Sequence, residues 1–393
     1  MKSFGRPVRL LLINQLTINI GFYMLMPYLA AYLSGDLGLA LWLTGLVLGV
    51  RNLSQQGLFL IGGTLADRLG YKPMILTGLI LRTIGFGLLG LVESVPVLIV
   101  ASVLTGLAGA FFNPAARAYL AQEAGERKVE AFALFNAFYQ GGILIGPLIG
   151  LALQAVGFRV SCLVAAGLFA MLAAVQARAL PARAGGAGAR GSVLGDWRQV
   201  LRNRAFVLFS LAMIGSYVLS FQIYLALPLA TGSPYGTAIL FAVSGGLAMA
   251  GQVRLTAWVK ARWTAEQAIV RGLWLMGVAF VPLGMVSGLV PALMTTCLLT
   301  VATMIVYPFE MATIATVGGD GLVGTYYGFY NTLSGIGIAA GTLLTGAAFD
   351  TGVPGLPWWG MVVLGCACAL AMGTLARTGR LRASEPGKVG QTA

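Results

Sequence analysis

The sequence predicts an all-α integral membrane protein: twelve transmembrane helices in two pseudo-symmetric six-helix bundles. Three observations carry that prediction. Of 393 residues, 58% are hydrophobic and only 9% charged, whereas soluble domains run near half apolar and a quarter charged. The apolar residues fall in continuous runs long enough to cross a bilayer. The two halves of the chain share residues at a near-constant spacing. The net charge of +13 would ordinarily raise nucleic acid as a partner, but its distribution, below, assigns it otherwise. The sequence has no His, which removes His-ligated metal and haem sites and every Ser-His or Cys-His catalytic arrangement.

A helix crosses the hydrocarbon core in about 20 apolar residues. The runs lie at 8–33, 42–66, 73–92, 96–121, 131–153, 158–178, 205–230, 235–258, 268–287, 289–312, 325–349 and 357–376. Continuous runs are helical, because barrel strands alternate polar and apolar residues. The first run follows Lys2, Arg6 and Arg9, but it is too long for a signal-peptide core and is expected to be retained.

Lys and Arg collect on one side. That side receives Lys2, Arg6 and Arg9, then Arg68 and Lys72, then Arg127 and Lys128, a basic group from Arg178 to Arg204, Lys260 and Arg262, and finally Arg377, Arg380, Arg382 and Lys388. The opposite loops show Asp36, Glu93 and Asp350, with Arg159 as the basic exception. Both termini are therefore expected in the cytoplasm. The positive charge fixes orientation, so no nucleic-acid partner is expected.

Spans one to six form an N-terminal bundle, 1–178, and spans seven to twelve a C-terminal bundle, 205–376, with a cytoplasmic tail at 377–393. Between them, 179–204 is Gly/Ala-rich from Ala184 to Gly191 and then basic, reading as a flexible cytoplasmic linker without apolar periodicity. Tyr23 and Pro27 match Tyr224 and Pro228. At an offset of 194, Gly57, Arg68 and Pro114 match Gly251, Arg262 and Pro308. At 195, Phe135-Asn136 and Gly146 match Tyr330-Asn331 and Gly341. Such spacing is the mark of an internally duplicated membrane protein.

Between spans two and three, Gly63-Thr64-Leu65-Ala66-Asp67-Arg68-Leu69-Gly70-Tyr71-Lys72 reads G-x-x-x-D-R-x-G-x-K. Gly63 permits close helix approach, Asp67 can accept from the free N–H groups of a helix start, and Arg68 and Lys72 suit carboxylates or anionic headgroups. This segment resembles the signature loop of the major facilitator superfamily. The resemblance implies that fold and a latch between the two halves on the cytoplasmic side. The family's second basic position is Tyr71 here. The equivalent loop of the second half keeps Arg262 but has Ala261 in place of the acid, so the latch is one-sided.

On span five, Gly142-Ile143-Leu144-Ile145-Gly146-Pro147-Leu148-Ile149-Gly150 reads G-x-x-x-G-P-x-x-G. It resembles the family's antiporter motif, which implies export. Gly142, Gly146 and Gly150 are expected to form a tight face against the opposite half, with Pro147 kinking the helix. The family's proton-antiporter R-x-x-x-G on span four is broken, with Ser102 where Arg belongs. That arginine's role is therefore not carried over.

Ionisable residues inside a membrane are functional candidates. Arg51 and Gln55, four apart on span two, share a face toward a cavity, and Arg82 sits mid-span in the third helix. Glu310, near the end of span ten, and Arg117, at the corresponding end of span four, are candidates for a charged gate. A solvated helix end is the alternative for Glu310. Without His, a coupling proton must ride on a carboxylate, and Asp67 and Glu310 are the candidates. Substrate-cavity candidates are Asn19, Arg51, Gln55, Asn136, Gln222, Tyr224, Tyr330 and Asn331. The four Cys lie in apolar spans and imply neither disulfide nor metal.

Arg51-Asn52-Leu53-Ser54-Gln55-Gln56-Gly57 and Lys72-Pro73-Met74-Ile75-Leu76-Thr77-Gly78 are similar to the drug:proton antiporter group, particularly its MdtH-like multidrug transporters. The resemblance implies a non-enzymatic monomeric exporter in the bacterial inner membrane. It would use no cofactor and be driven by the proton gradient, with a drug or self-made siderophore as its small amphipathic substrate. A proton-coupled importer of a nutrient or metabolite is the alternative reading.

Overall fold

The computed structural model describes residues 4–154, 156–182, 192–231, 234–318 and 321–378. The Gly/Ala run of the linker, with Arg183 and Arg190, lies outside the described residues, as do Lys2, Arg380, Arg382 and Lys388. Span one is α1 (Arg6–Tyr23) and α2 (Met26–Ala31), closed by a π-helical turn at Tyr32–Asp36. Span two is α3 (Leu41–Gly57) and α4 (Phe59–Leu69) as far as residue 66. Then come α5 (Tyr71–Leu91), α6 (Val95–Ala124), α7 (Lys128–Gln154) and α8 (Phe158–Ala179) as spans three to six. A short helix α9 (Val193–Arg202) precedes span seven, which is α10 (Arg204–Phe221) and α11 (Ala226–Thr231). Spans eight to twelve are α12 (Pro234–Lys260), α13 (Ala265–Val278) with α14 (Val281–Met285), α15 (Leu289–Val317), α16 (Val323–Asp350) and α17 (Leu356–Arg377).

Among the described residues, nine helical stretches are long and apolar enough to cross a membrane, and one of them, 59 residues long, is α6 and α7 joined. Spans one and two make up the twelve. Each is broken into shorter helices, where the sequence predicts one continuous run. The breaks in spans one and seven fall just ahead of Pro27 and Pro228, the matched prolines, whose missing N–H cannot extend the helix behind them. Large apolar side chains cover the outside, with Leu343 74% and Leu344 71% exposed. A surface this apolar belongs in lipid.

The internal repeat extends to packing. A Cβ built on Gly146 would lie 2.8 Å from the Tyr23 Cβ, and one on Gly341 would lie 2.9 Å from the Val218 Cγ2. Both members of that pair differ by 195. Gly78 closes on Phe112 and the Ala108 carbonyl, and Gly272 on Val306 and the Ala302 carbonyl, each shifted by 194. In both places small residues let neighbouring helices approach closely.

The packed units do not follow the chain's midpoint. One comprises Met1–Glu126, Phe138–Asp196 and Asp320–Thr332, and the other Arg127–Ala137, Trp197–Gly319 and Leu333–Ala393. The first turns of α7 thus pack with the second unit, and the first turns of α16 with the first.

The linker reading needs correction at 193–202, which is helical and strongly amphipathic. Asp196 and Val200 are buried, while Leu194 is 72% exposed and Arg198 and Arg202 are also exposed. The spacing Val193, Trp197, Val200 and Leu201 is helical periodicity, in a segment too short to stand out beside its glycine-rich neighbour.

Candidate functional site

Asp67 stands one residue beyond the predicted second span, in the last turn of α4. It is 2% exposed, so its carboxylate needs partners, and they come from the start of α16. Asp67 Oδ1 accepts from the Gly324 backbone N–H at 2.8 Å, while Oδ2 accepts from the Thr325 N–H at 2.6 Å and the Thr325 hydroxyl at 2.8 Å. Gly324 and Thr325 are the second and third residues of α16, whose N–H groups have no partner within their own helix. Asp67 is therefore an N-cap supplied by another helix. Tyr71, the departure from the basic position, donates its hydroxyl to Asp67 Oδ1 at 3.2 Å. Burial pushes the Asp67 carboxyl up to about 6, outweighing the Thr325, Gly324 and Tyr71 hydrogen bonds that favour the charged form.

The rest of the motif builds this contact. Gly63 meets the Gly324 carbonyl so closely that any Cβ would collide with it, and a Cβ on Gly324 would lie 2.6 Å from the Gly63 carbonyl oxygen. Gly70 ends α4 at φ +95°, a conformation that side-chain-bearing residues avoid. Arg68 donates from Nε (3.0 Å) and a terminal nitrogen (2.6 Å) to Asp196 on α9. Lys72 Nζ donates to the Ala177 carbonyl at 2.8 Å, in the last turn of α8, where a cation complements the helix dipole. Nothing in the sequence singled out Gly324, Thr325 or Asp196 as the partners.

The glycine face of span five differs from expectation. In place of the opposite half, it packs on span one of its own half. Gly142 meets Asn19 and the Leu16 carbonyl (2.8 Å to a built Cβ), Gly146 meets Tyr23, and Gly150 meets the Met24 carbonyl and the Tyr28 ring (2.7 Å). The Tyr28 hydroxyl donates to the Pro147 carbonyl at 2.8 Å, and α7 is helical through Pro147. Gly150→Ala is expected to cost about 1–3 kcal/mol through overpacking against backbone. The thermal midpoint of the purified protein in detergent checks this, with Gly167→Ala, where a Cβ meets nothing within 4 Å, as the control.

The predicted polar path is brought together only in part. Arg51 donates to Gln55 Oε1 at 2.7 Å, as the shared face requires, and to Asn52 Oδ1 at 2.8 Å. Asn19 Nδ2 donates to the Tyr139 carbonyl at 3.1 Å, and the Tyr23 and Tyr139 hydroxyls stand 3.4 Å apart. In the second unit, Asn136 Nδ2 donates to Gln252 Oε1 at 2.7 Å, and Gln252 donates onward to Thr256 and the Met304 carbonyl. Gln222 is sealed at 1% exposure and turned back to the Val218 carbonyl at 2.9 Å. Its nominated neighbour Tyr224 is open, at 42%, against Phe221 and Phe241. Tyr330 is 1% exposed.

Arg117 donates to Asn331 Oδ1 at 2.6 Å. Glu310 is 3% exposed within α15, so it is not a solvated helix end. Glu130 pairs with Lys260 at 2.7 Å. Burial alone would raise Glu130, but the Lys260 hydrogen bond and nearby positive charge hold its carboxyl below the ordinary range. Arg159, the basic exception, is paired with Glu93. Among the described residues, no three His, Cys, Asp or Glu side chains gather as a metal site would require.

Comparison with known proteins bears on this arrangement. The profile of the Major Facilitator Superfamily matches residues 11–342. An uncharacterized MFS-type transporter of Mycobacterium tuberculosis is 49% identical over 384 residues, covering 93% of this chain and 92% of that protein. The multidrug resistance protein MdtH of Escherichia coli is 31% identical over 372 residues, covering 92% of each. Among solved structures, the human organic anion transporter MFSD10 superposes with a TM-score of 0.77 at 16% identity, over 93% of this chain and 99% of that one. The E. coli fucose:proton symporter FucP gives 0.78 at 14%, over 94% and 98%.

Proposed function

The chain belongs to the major facilitator superfamily, multi-pass membrane transporters rather than enzymes, and on that premise we propose that it exports a small amphipathic molecule, a drug or self-made siderophore, by proton antiport and alternating access. The observation that carries this reading is the buried Asp67 carboxylate capping α16. A contact made of three hydrogen bonds and a glycine–glycine approach can form and break as a unit, which alternating access needs. The name of the MdtH relatives supports multidrug export, and the span-five glycine motif agrees with it.

In this reading the chain sits in a bacterial inner membrane as a functional monomer with both termini cytoplasmic. Its bundles are 1–178 and 205–376, joined by the linker 179–204, and Asp67 latches the cytoplasmic side. Glu310, a carboxylate buried two residues after Pro308 in span ten, carries the coupling proton, and Arg117 works at the corresponding end of span four. Asn19, Arg51 and Gln55 line the substrate path.

Energised everted vesicles test the reading. Substrate is expected to accumulate inside them, and each addition of substrate should release protons from the lumen. Accumulation by intact cells with none in everted vesicles would reverse the direction to import. Glu310→Gln is expected to abolish uphill accumulation at least tenfold while sparing downhill exchange. If both accumulation and its pH dependence survived that substitution, the proton would have to ride elsewhere.

A further inference from the structure

Two arginines of the first unit stand at mid-membrane. Arg82 is eleven residues along α5 from Tyr71, and Arg51 ten along α3 from Leu41, so each lies about 15–16 Å from a helix end, half the hydrocarbon thickness. Arg82 is 7% exposed. Its guanidinium faces the rings of Phe112 and Phe169, each 5.7 Å away, and its Nε has no hydrogen-bond acceptor. Arg51 lies 4.4 Å over the Phe22 ring. It satisfies two donors on the neutral Asn52 and Gln55 and likewise leaves Nε without an acceptor.

The two cations share one aromatic wall. Phe22 meets Phe86 edge-on at 6.5 Å, and Phe86 meets Phe169 at 5.2 Å, so rings run without a gap from one guanidinium to the other. Arg51 lies within electrostatic reach of Arg82, as does Tyr139. Among the described residues, no carboxylate pairs with either. Neither α3 nor α5 carries an acid: in sequence the nearest are Glu93, two residues beyond the end of α5, and Asp36, in the π-helical turn before α3. The first span has no acid before Asp36, α8 has none, and the one acid of α6, Glu123, lies in its last turn. Two like charges at membrane depth, with donors left over, are costly, and an anion placed between them would offset that cost. The planar fork of arginine suits a carboxylate, sulfonate or phosphate.

We propose that Arg82 and Arg51, with the aromatic wall between them, form the site for an anionic group on the substrate, so that the cargo is an amphipathic organic anion. This rests on the transport reading above and names the substrate class for it.

The test uses three fluorescent probes that share one ring system: dansylglycine (anion), dansylglycinamide (neutral) and dansylcadaverine (cation). Binding to the purified full-length protein is read by fluorescence anisotropy. The anion is expected to bind at least tenfold more tightly than the amide, and Arg82→Gln to reduce that ratio to near one. Arg82→Lys, which keeps the charge and loses the fork, should fall between. Equal binding of all three probes, tighter binding of the cation, or no binding would overturn the proposal on the unmodified protein alone, whatever the variants do. An unchanged ratio in folded Arg82→Gln would also overturn it. Transport in proteoliposomes separates the two readings. Selective binding of dansylglycine without proton-driven movement leaves the anion site standing and sinks the transport reading. Export of dansylcadaverine with dansylglycine ignored does the reverse.

Discussion

Asp67→Ala is expected to bring transport to background in a protein that still folds and inserts. Alanine removes both carboxylate oxygens, leaving the buried Gly324 and Thr325 N–H groups and the Thr325 hydroxyl without their acceptor. Each stranded group costs about 1–3 kcal/mol. Even a total near 3 kcal/mol would reduce the population of the latched form roughly 150-fold. Hydrogen exchange of the 321–332 segment reads this directly and should accelerate by a similar factor. Normal exchange together with normal transport would remove Asp67 from the mechanism.

The same residue sets a pH dependence whose sign can be worked out. In the latched form burial holds the Asp67 carboxyl at about 6, and on opening to water it returns to about 3.9. The latched form therefore binds the proton more tightly, and acidification favours it. The preference is absent above about pH 7, grows as pH falls through 6, and is complete only below about 3. Between pH 7 and 5 it amounts to roughly tenfold. Exchange of 321–332, corrected for intrinsic rates, should slow accordingly at pH 5. Asp67→Asn, which keeps one acceptor and cannot titrate, should show no such slowing.

Gly324→Ala is expected to produce the second-largest loss. A Cβ there would lie 2.6 Å from the Gly63 carbonyl oxygen and 2.8 Å from Asp67 Oδ1. The first obstacle is backbone and cannot rotate away, so α16 must retreat from α4, and retreat breaks the Asp67 hydrogen bonds as well. Overpacking of this kind costs about 1–3 kcal/mol, here concentrated on a contact that must re-form in every cycle. Transport should fall at least tenfold. Gly346→Ala on the same helix, where a Cβ meets nothing within 4 Å, should leave it unchanged. Comparable activity in the two variants would mean that the glycine approach is not part of the working cycle.

The difference between what was and was not legible is clearest at the motifs. Asp67, Arg68 and Gly70 could be read because their chemistry is local: an acid at a helix end, a cation beside it and a glycine at a turn. Their partners could not. Gly324 and Thr325 lie 257 and 258 residues away in sequence and carry no mark beyond being small. The span-five glycines were legible as a packing face, but small residues state only that something comes close. That the neighbour is span one had to come from the fold. Arg117 donates to Asn331, 214 residues away, a partner the sequence does not mark, since a guanidinium donates to any oxygen that geometry offers.

The sequence by itself determined the twelve spans, their duplication and the family. The spans follow from composition and the length of the apolar runs, which the bilayer enforces on every residue it touches; the duplication rests on matched residues, and the family on the resemblance of the 63–72 and 142–150 motifs. The tertiary structure alone decided that Asp67 caps a distant helix. It also decided that Arg68 holds the linker helix, that Gln222 is sealed, and that Arg51 and Arg82 face one aromatic wall with no carboxylate beside them among the described residues. Each of those depends on side chains meeting across helices, and no periodicity within one helix records which neighbour it will meet.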